Sequence, residues 1–544
     1  MTLTRRDLHK ALVGVLLMGN TRAVAATQSP DLLTLNRLTF GATLKDRARF
    51  YARGLESWLD MELAKPVSDP ALDDILERAT LQIRYKAGEN DAGAAWDGLD
   101  EMRGLTSLHS DPEDLLPLLD SEHPVPFAER VRPAREVIAA SLIRAVHADA
   151  QLREMITSFW HEHFSVNSRK DAKAAVFFPA YDHMLRQHAL GNFRVMLGKV
   201  ARAPAMLSYL NNDASRASPA NENFARELLE LHTLGVENYY NDLYDNWHDV
   251  PKTDTGVAQG YIDQDVYEVA RAFTGWSIGD GRRVSNGVNA PKTGTFHYIE
   301  GWHDPYQKRI LGVEFSPNRG PMDDGEQVLD LLATHSGTAN HIARKLLRRC
   351  GIEAPSTLYH AAVADSFMTH VDASDQMARV LRTLVLHPEF MSTAPSKMRR
   401  PFEYLTAIYR ASGANVASPT LDFDWHLTRA GWTQHQVKPP TGHSDETADW
   451  ANTRTLNGLV NLALYAHEDW LGAQSADSGS MMSGKSLDDM ISRIETGFAA
   501  PSGSLAHFAR VMGIEYLPDD RESRIWVVSV LHSAASLQPE FMLR

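Results

Sequence analysis

The chain has 544 residues, 43% of them apolar, a formal charge of -14 and a single cysteine. Its length and apolar content suffice for a large packed core, while the acidic balance argues against nucleic acid and anionic lipid as partners, because both carry like charge. One cysteine excludes an intramolecular disulfide framework, so stability must come from packing.

The run Thr4-Arg5-Arg6-Asp7-Leu8-His9-Lys10, an apolar stretch from Ala11 to Met18 and the small-residue tract Ala23-Val24-Ala25-Ala26 read as a twin-arginine export signal over residues 1–26. The apolar stretch is shorter than the roughly 20 residues that span a bilayer, and no later segment is long and apolar enough. The sequence therefore predicts no transmembrane segment in the mature chain and a periplasmic or secreted product. Arg5, Arg6, Lys10 and Arg22 against Asp7 give residues 1–25 a charge of +3, so the remainder carries -17. Export of an already folded chain suits a protein that acquires a cofactor inside the cell or carries a partner across with it.

Residues 27–544 read as a single large domain, mainly α, a multi-helix globular fold with one or two small β-hairpin excursions. Helical periodicity predicts short helices across 32–63, interrupted at Gly41 and Gly54, and a long helix over 133–166. Further helices are expected at 172–190, 193–201, 221–234, 265–274, 326–349 and 375–386, then at 400–411, 453–466, 486–497, 504–512 and 521–537. Between 276 and 315 the punctuation by Gly, Asn and Pro, around Thr295-Phe296-His297-Tyr298-Ile299 and Arg309-Ile310-Leu311-Gly312-Val313, predicts the hairpins. Residues 421–449 and 474–484 read as surface excursions, the first packed back onto the helices by Trp425, Trp432 and Trp450. Leu386-His387-Pro388-Glu389-Phe390-Met391 recurs as Leu537-Gln538-Pro539-Glu540-Phe541-Met542, each after an apolar helix that the proline stops. Cys350 follows the apolar and basic run 341–349 and reads as a packed thiol.

Three constellations could carry chemistry. In Ile156-Thr157-Ser158-Phe159-Trp160-His161-Glu162-His163-Phe164, a step of 100° per residue puts His163 on the apolar stripe and turns His161 away from it, so the two cannot act as a paired-ligand motif. A core histidine bonded to a backbone carbonyl, a metal ligand and a proton-transfer group all satisfy that placement of His163. In 221–235, Asn223, Glu227 and Glu230 fall at i, i+4 and i+7, a line of oxygens that suits a hard divalent cation. The alternative there is a solvated face in which Arg226 pairs with Glu230. In 265–276, Asp265 and Glu268 have the spacing of a capping box, with Asp265 as N-cap. The turn Trp302-His303-Asp304-Pro305 sets an imidazole beside a carboxylate, either as ligands or as an Asx turn.

Gly479-Ser480-Met481-Met482-Ser483-Gly484-Lys485-Ser486 matches the phosphate-loop pattern, but polar residues precede it where a buried strand belongs. Ser486 with Asp489 instead predicts a helix start, and no nucleotide cofactor is expected. The His-Glu-x-x-His motif is absent from the sequence.

Together with the entry Leu35-Asn36-Arg37-Leu38-Thr39-Phe40-Gly41 and the later run Lys397-Met398-Arg399-Arg400-Pro401-Phe402-Glu403-Tyr404, these clusters resemble, in order and over nearly the whole mature chain, the bacterial family catalogued as domain of unknown function 1800. The chain departs from that pattern by inserting residues 239–259 between the second and third clusters. The resemblance implies a secreted or periplasmic, mostly helical protein, often encoded beside a second exported family that resembles alkaline phosphatase and sulfatase folds, and it implies no established activity. Two expectations follow. In the first, His163, Asn223, Glu227 and Glu230 converge with His303 and Asp304 on a divalent metal ion of unspecified identity, with His161, Asp265 and Glu268 as secondary candidates, and the ion activates water for an envelope hydrolase. In the second, the chain is a noncatalytic structural or maturation partner of the neighbour-encoded protein, and the carboxylates form buried ion pairs to Arg226 and Arg271.

Overall fold

Helices begin where a side-chain oxygen meets amides that have no partner inside the helix. In the computed structural model, which describes residues 28–90, 93, 95–120, 125–419, 421–466, 473–474 and 486–544, Asp171 caps Ala172–His188 through Ala174 N at 2.8 Å, and Asn192 caps Phe193–Arg202 through Val195 N at 3.1 Å. Ser486 and Asp489 close the expected reciprocal box at the start of Leu487–Phe498. The export signal and residues 479–485 of the phosphate-loop match lie outside the described residues. The fold is mainly α with small two-stranded antiparallel sheets, and no described helix is long and apolar enough to cross a membrane.

Two long periodic runs are broken in space. The expected helix over 133–166 is two, Arg132–His147 and Gln151–Phe164, because Ala148 turns extended and Gln151 Nε2 donates to the carbonyls of Ala145 and Ala148. The run 326–349 likewise divides into Asp323–Ala333 and Ser336–Arg349, with His335 extended between them and its Nδ1 accepting from Gly337 N at 2.9 Å. Apolar period continues through both breaks, which only a side-chain contact to the freed backbone reveals. Helices Pro70–Arg78 and Thr357–Thr369 and the pair Thr80–Tyr85 with Leu99–Gly104 were not expected.

The hairpins stand where expected: Trp276–Asp280 pairs with Lys292–Tyr298, and Lys308–Ile310 with Val313–Phe315. The pair Arg283–Ser285 and Val288–Asn289 is added between the first two strands. The echoed endings are both short helical turns, Pro388–Ser392 and Pro539–Met542, that bury Phe390 and Phe541. Cys350 is fully buried, and burial pushes its thiol up to about 11, as a packed thiol requires.

The buried apolar side chains form two clusters. One joins helices from Pro30–Leu38 to Gln376–Leu386, and the other joins Arg132–His147 to the later helices Pro401–Ser412, Thr453–Tyr465, Leu487–Phe498 and Arg521–Ser536. Helix Gln151–Phe164 contributes to both, with Phe159, Trp160 and Phe164 in the first and Met155 in the second. Residues 421–449 are more than a surface excursion: they hold helix Leu421–Arg429 and bury Trp432, Gln434 and His435, with Trp450 buried just beyond them and Trp425 left exposed.

Candidate functional site

The helix Glu222–Glu227 widens into a π turn over Leu228–Thr233, a distortion that recurs at functional sites. His163 Nε2 donates to the carbonyl of His232 within that turn at 3.1 Å. The rings of His232 and His341 each lie 6.1 Å from that of His163. Burial, helped by the charge of Lys345, holds His163 well below the usual imidazole range and His232 at about 3, so both rings are neutral. With Nε2 carrying the proton, His163 Nδ1 is a lone pair, and it has no hydrogen-bond partner.

The other expected residues occupy different neighbourhoods. Glu227 and Glu230 do act on one another: burial and the charge of Glu230 push Glu227 up to about 7. Arg226 pairs with Asp263 at 3.2 Å and Glu222 at 3.8 Å rather than with Glu230, and the exposed Asn223 donates to the carbonyl of Leu210. His303 bonds the Thr274 carbonyl at 3.1 Å and lies 3.4 Å from Asp324. Asp304 takes Arg271 in two bonds of 2.8 and 3.1 Å, and Glu268 pairs with the same guanidinium. Asp265 is not an N-cap: the helix starts at Asp263, and the Asp265 carboxylate accepts from Ile262 N and Leu311 N, with burial pushing it up to about 6. His161 turns away from His163, as the helical step requires, and its Nε2 bonds Asp182 at 2.9 Å, beside Arg144 and Arg186. No hydrogen bond or ion pair among the described residues joins His163 to Glu227, Glu230, His303 or Asp304. Nor is any group of three or more His, Cys, Asp or Glu side chains among them placed to hold a metal ion.

A cavity of about 150 Å³ opens beside His163. One wall is helix Gln151–Phe164, through Phe159 and Glu162; a second is helix Ser336–Arg349, where Lys345 and Arg349 share a face at i, i+4. The third is the segment 441–446. His443 fixes it there by stacking on Trp432 with ring centroids 4.0 Å apart, while its backbone N–H donates to Glu162 Oε2 at 2.8 Å. Asp445 then receives Lys397 at 2.7 Å, Arg349 Nε at 3.1 Å and Arg400 at 3.1 Å. Behind it, Glu403 binds Arg400 at 2.8 Å and Arg544 at 2.6 Å.

The cavity wall carries three cations, Lys345, Arg348 and Arg349, and three anions, Glu162, Asp445 and Glu446, but they are not matched bond for bond. Arg349 is 1% exposed, yet both outer nitrogens of its guanidinium lack a hydrogen-bond partner. The ammonium of Lys345 has no acceptor within hydrogen-bond or ion-pair distance among the described residues, and burial pushes it down to about 8, against the pull of Asp445 and with the help of Arg349. Sequence reasoning missed Glu162, Lys345, Arg349, His443 and Asp445. The usable signal was Lys345 and Arg349 four apart within the basic run Arg344-Lys345-Leu346-Leu347-Arg348-Arg349, with no acid in the interval.

A family model described as a protein of unknown function, DUF1800, matches residues 33–543. No curated protein and no solved structure matches the chain.

Proposed function

The chain belongs to the DUF1800 family, whose description names no activity, and from that membership we propose that it is an exported protein that binds an oxyanion, a carboxylate, sulfate or phosphate group, between Lys345 and Arg349. One observation carries this reading: at one cavity both outer nitrogens of the buried Arg349, whose Nε alone is bonded to Asp445, have no hydrogen-bond partner, and the half-buried Lys345 ammonium has no acceptor among the described residues. A buried unpaired charge costs several kcal/mol. An oxyanion removes that cost, because the guanidinium fork offers it two parallel bonds and the ammonium a third. The twin-arginine signal supports export of this body already folded. Against the overall acidic charge, the donors of Lys345 and Arg349 supply the local attraction at the cavity wall.

Sulfate, phosphate or oxalate, at ionic strength held constant with chloride, is expected to raise the thermal unfolding midpoint. Saturation at a hundredfold excess over Kd corresponds to about 2.7 kcal/mol. Lys345→Met, which keeps the stem and removes the charge, is expected to abolish the shift. Binding needs the ammonium form, so it holds below pH 8 and weakens as pH rises through about 8, where the amine loses its proton. A wild-type shift no larger than that from chloride, or an equal shift in Lys345→Met, overturns the reading.

A divalent ion at Glu227 and Glu230, serving a hydrolase, is the second reading, favoured by the elevated Glu227 carboxyl. In metal-free protein Glu227 is expected to titrate near pH 7. Its native pKa lies above the unfolded value, so the native state holds its proton longer and stability falls as pH rises from about 4.5 to 7. Glu227→Gln is expected to flatten that slope in urea unfolding. Elemental analysis of the exported protein decides for the ion: a stoichiometric metal that disappears in Glu227→Gln supports it, and its absence from wild type removes it.

A further inference from the structure

Resting on the oxyanion reading, we propose that Lys345 condenses with a carbonyl, forming an imine with a short 2-oxo acid whose carboxylate sits on Arg349. The other basic groups of the region are held by acceptors: Lys397 by Asp445 and the Arg348 carbonyl, Arg400 by Glu403, and Arg348 by Glu446. An ammonium held by a carboxylate is a poor nucleophile, because its lone pair is committed to a proton. Among the described residues Lys345 has no such partner; it lines the cavity and sits one helical turn from Arg349. Side chains so spaced lie about 5–6 Å apart at Cβ, so one small molecule in the cavity can reach both the fork and the amine. Burial supports the assignment by leaving about half of the amine uncharged near pH 8.

The step balances without an oxidant or reductant. The Nζ lone pair attacks the carbonyl carbon while the C=O π pair moves onto oxygen. A proton then passes from nitrogen to that oxygen, giving a carbinolamine. The hydroxyl then takes a second proton and leaves as water with the C–O pair while the nitrogen lone pair forms C=N, and the iminium nitrogen gives up its proton in return, so amine and carbonyl become imine and water. His163 is suited to relay the proton: it lines the same cavity, its Nε2–H is committed to the His232 carbonyl, and its Nδ1 lone pair is free. Such lysine imines are a general means of covalent catalysis on carbonyl substrates.

The full chain is incubated with pyruvate and sodium cyanoborohydride, and the reduced adduct is located by peptide mass mapping. Modification at Lys345 at least about tenfold faster than at surface lysines, rising with pH through about 8 and slowed by oxalate, is the expected result. Lys345→Arg, which keeps a cation but has no condensable amine, is expected to lose the adduct. If oxalate and pyruvate both stabilise the protein and no adduct forms at Lys345, the condensation is overturned while the oxyanion site stands. If neither stabilises it, both fall. An adduct spread evenly over surface lysines also overturns the condensation.

Discussion

Glu403→Ala is expected to cost about 3–5 kcal/mol of folding stability, the range for removing one partner from a buried ion cluster. Glu403 is 1% exposed. Its Oε2 accepts from Arg400 N at 3.1 Å, satisfying a free amide at the start of helix Pro401–Ser412, and its Oε1 binds the side chains of Arg400 and Arg544. These guanidiniums hold the carboxyl well below the usual carboxylate range, against the opposing effect of burial. Alanine leaves them buried around a void. The native pKa is depressed, so the contribution is fully present above the unfolded value of about 4.3 and is lost as pH falls through the native one. Wild type and variant should therefore differ by a constant amount from pH 8 to about 5, and the gap should narrow further down. Urea unfolding across that range measures it, and a wild-type midpoint in the variant would mean that the cluster contributes nothing.

Gly442→Ala is expected to dismantle the candidate site while leaving the helical body folded. Gly442 has φ +73, and an added Cβ would lie 2.3 Å from the carbonyl oxygen of Glu162, a backbone atom of a packed helix that cannot give way. The segment 441–446 must then lift, taking His443 N from Glu162 and Asp445 from Arg349, Lys397 and Arg400. Oxyanion affinity should fall at least about tenfold, with about 1–3 kcal/mol of stability lost to strain and unpaired charge. Gly503→Ala is the comparison: it shares the left-handed backbone, φ +79, but nothing lies within 4 Å of its Cβ. It should cost only the conformational term of about 1–2 kcal/mol and keep sulfate binding. Circular dichroism and the sulfate-induced thermal shift, read on both variants, check this, and equal sulfate responses would refute the role given to Gly442.

The helices were legible because their causes are local. Apolar period marks a buried face wherever it occurs, and Ser486 with Asp489 or Asn192 with Val195 settles a start within four residues. The same local character hid the breaks at Ala148 and His335, where a side chain takes the freed backbone groups while the apolar pattern runs on. His161 and His163 parted as the helical step dictates, yet their partners, Asp182 and the His232 carbonyl, lie 21 and 69 residues away. The line of Asn223, Glu227 and Glu230 was drawn on a straight helix, whereas the chain changes pitch at Leu228 and Asn223 turns to the Leu210 carbonyl.

By itself, the amino-acid order determined a mainly helical body with small hairpins, an inert cysteine and membership in one family, because helix propensity, caps and long ordered motifs act over short separations. Tertiary structure alone decided which charges meet. Asp445 reaches Arg349 across 96 residues, and among the described residues Lys345 is left without an anion only because of what packs around it. The energy of a charge depends on its surroundings in space and on the water excluded from them, and neither is written in the spacing of residues along a chain.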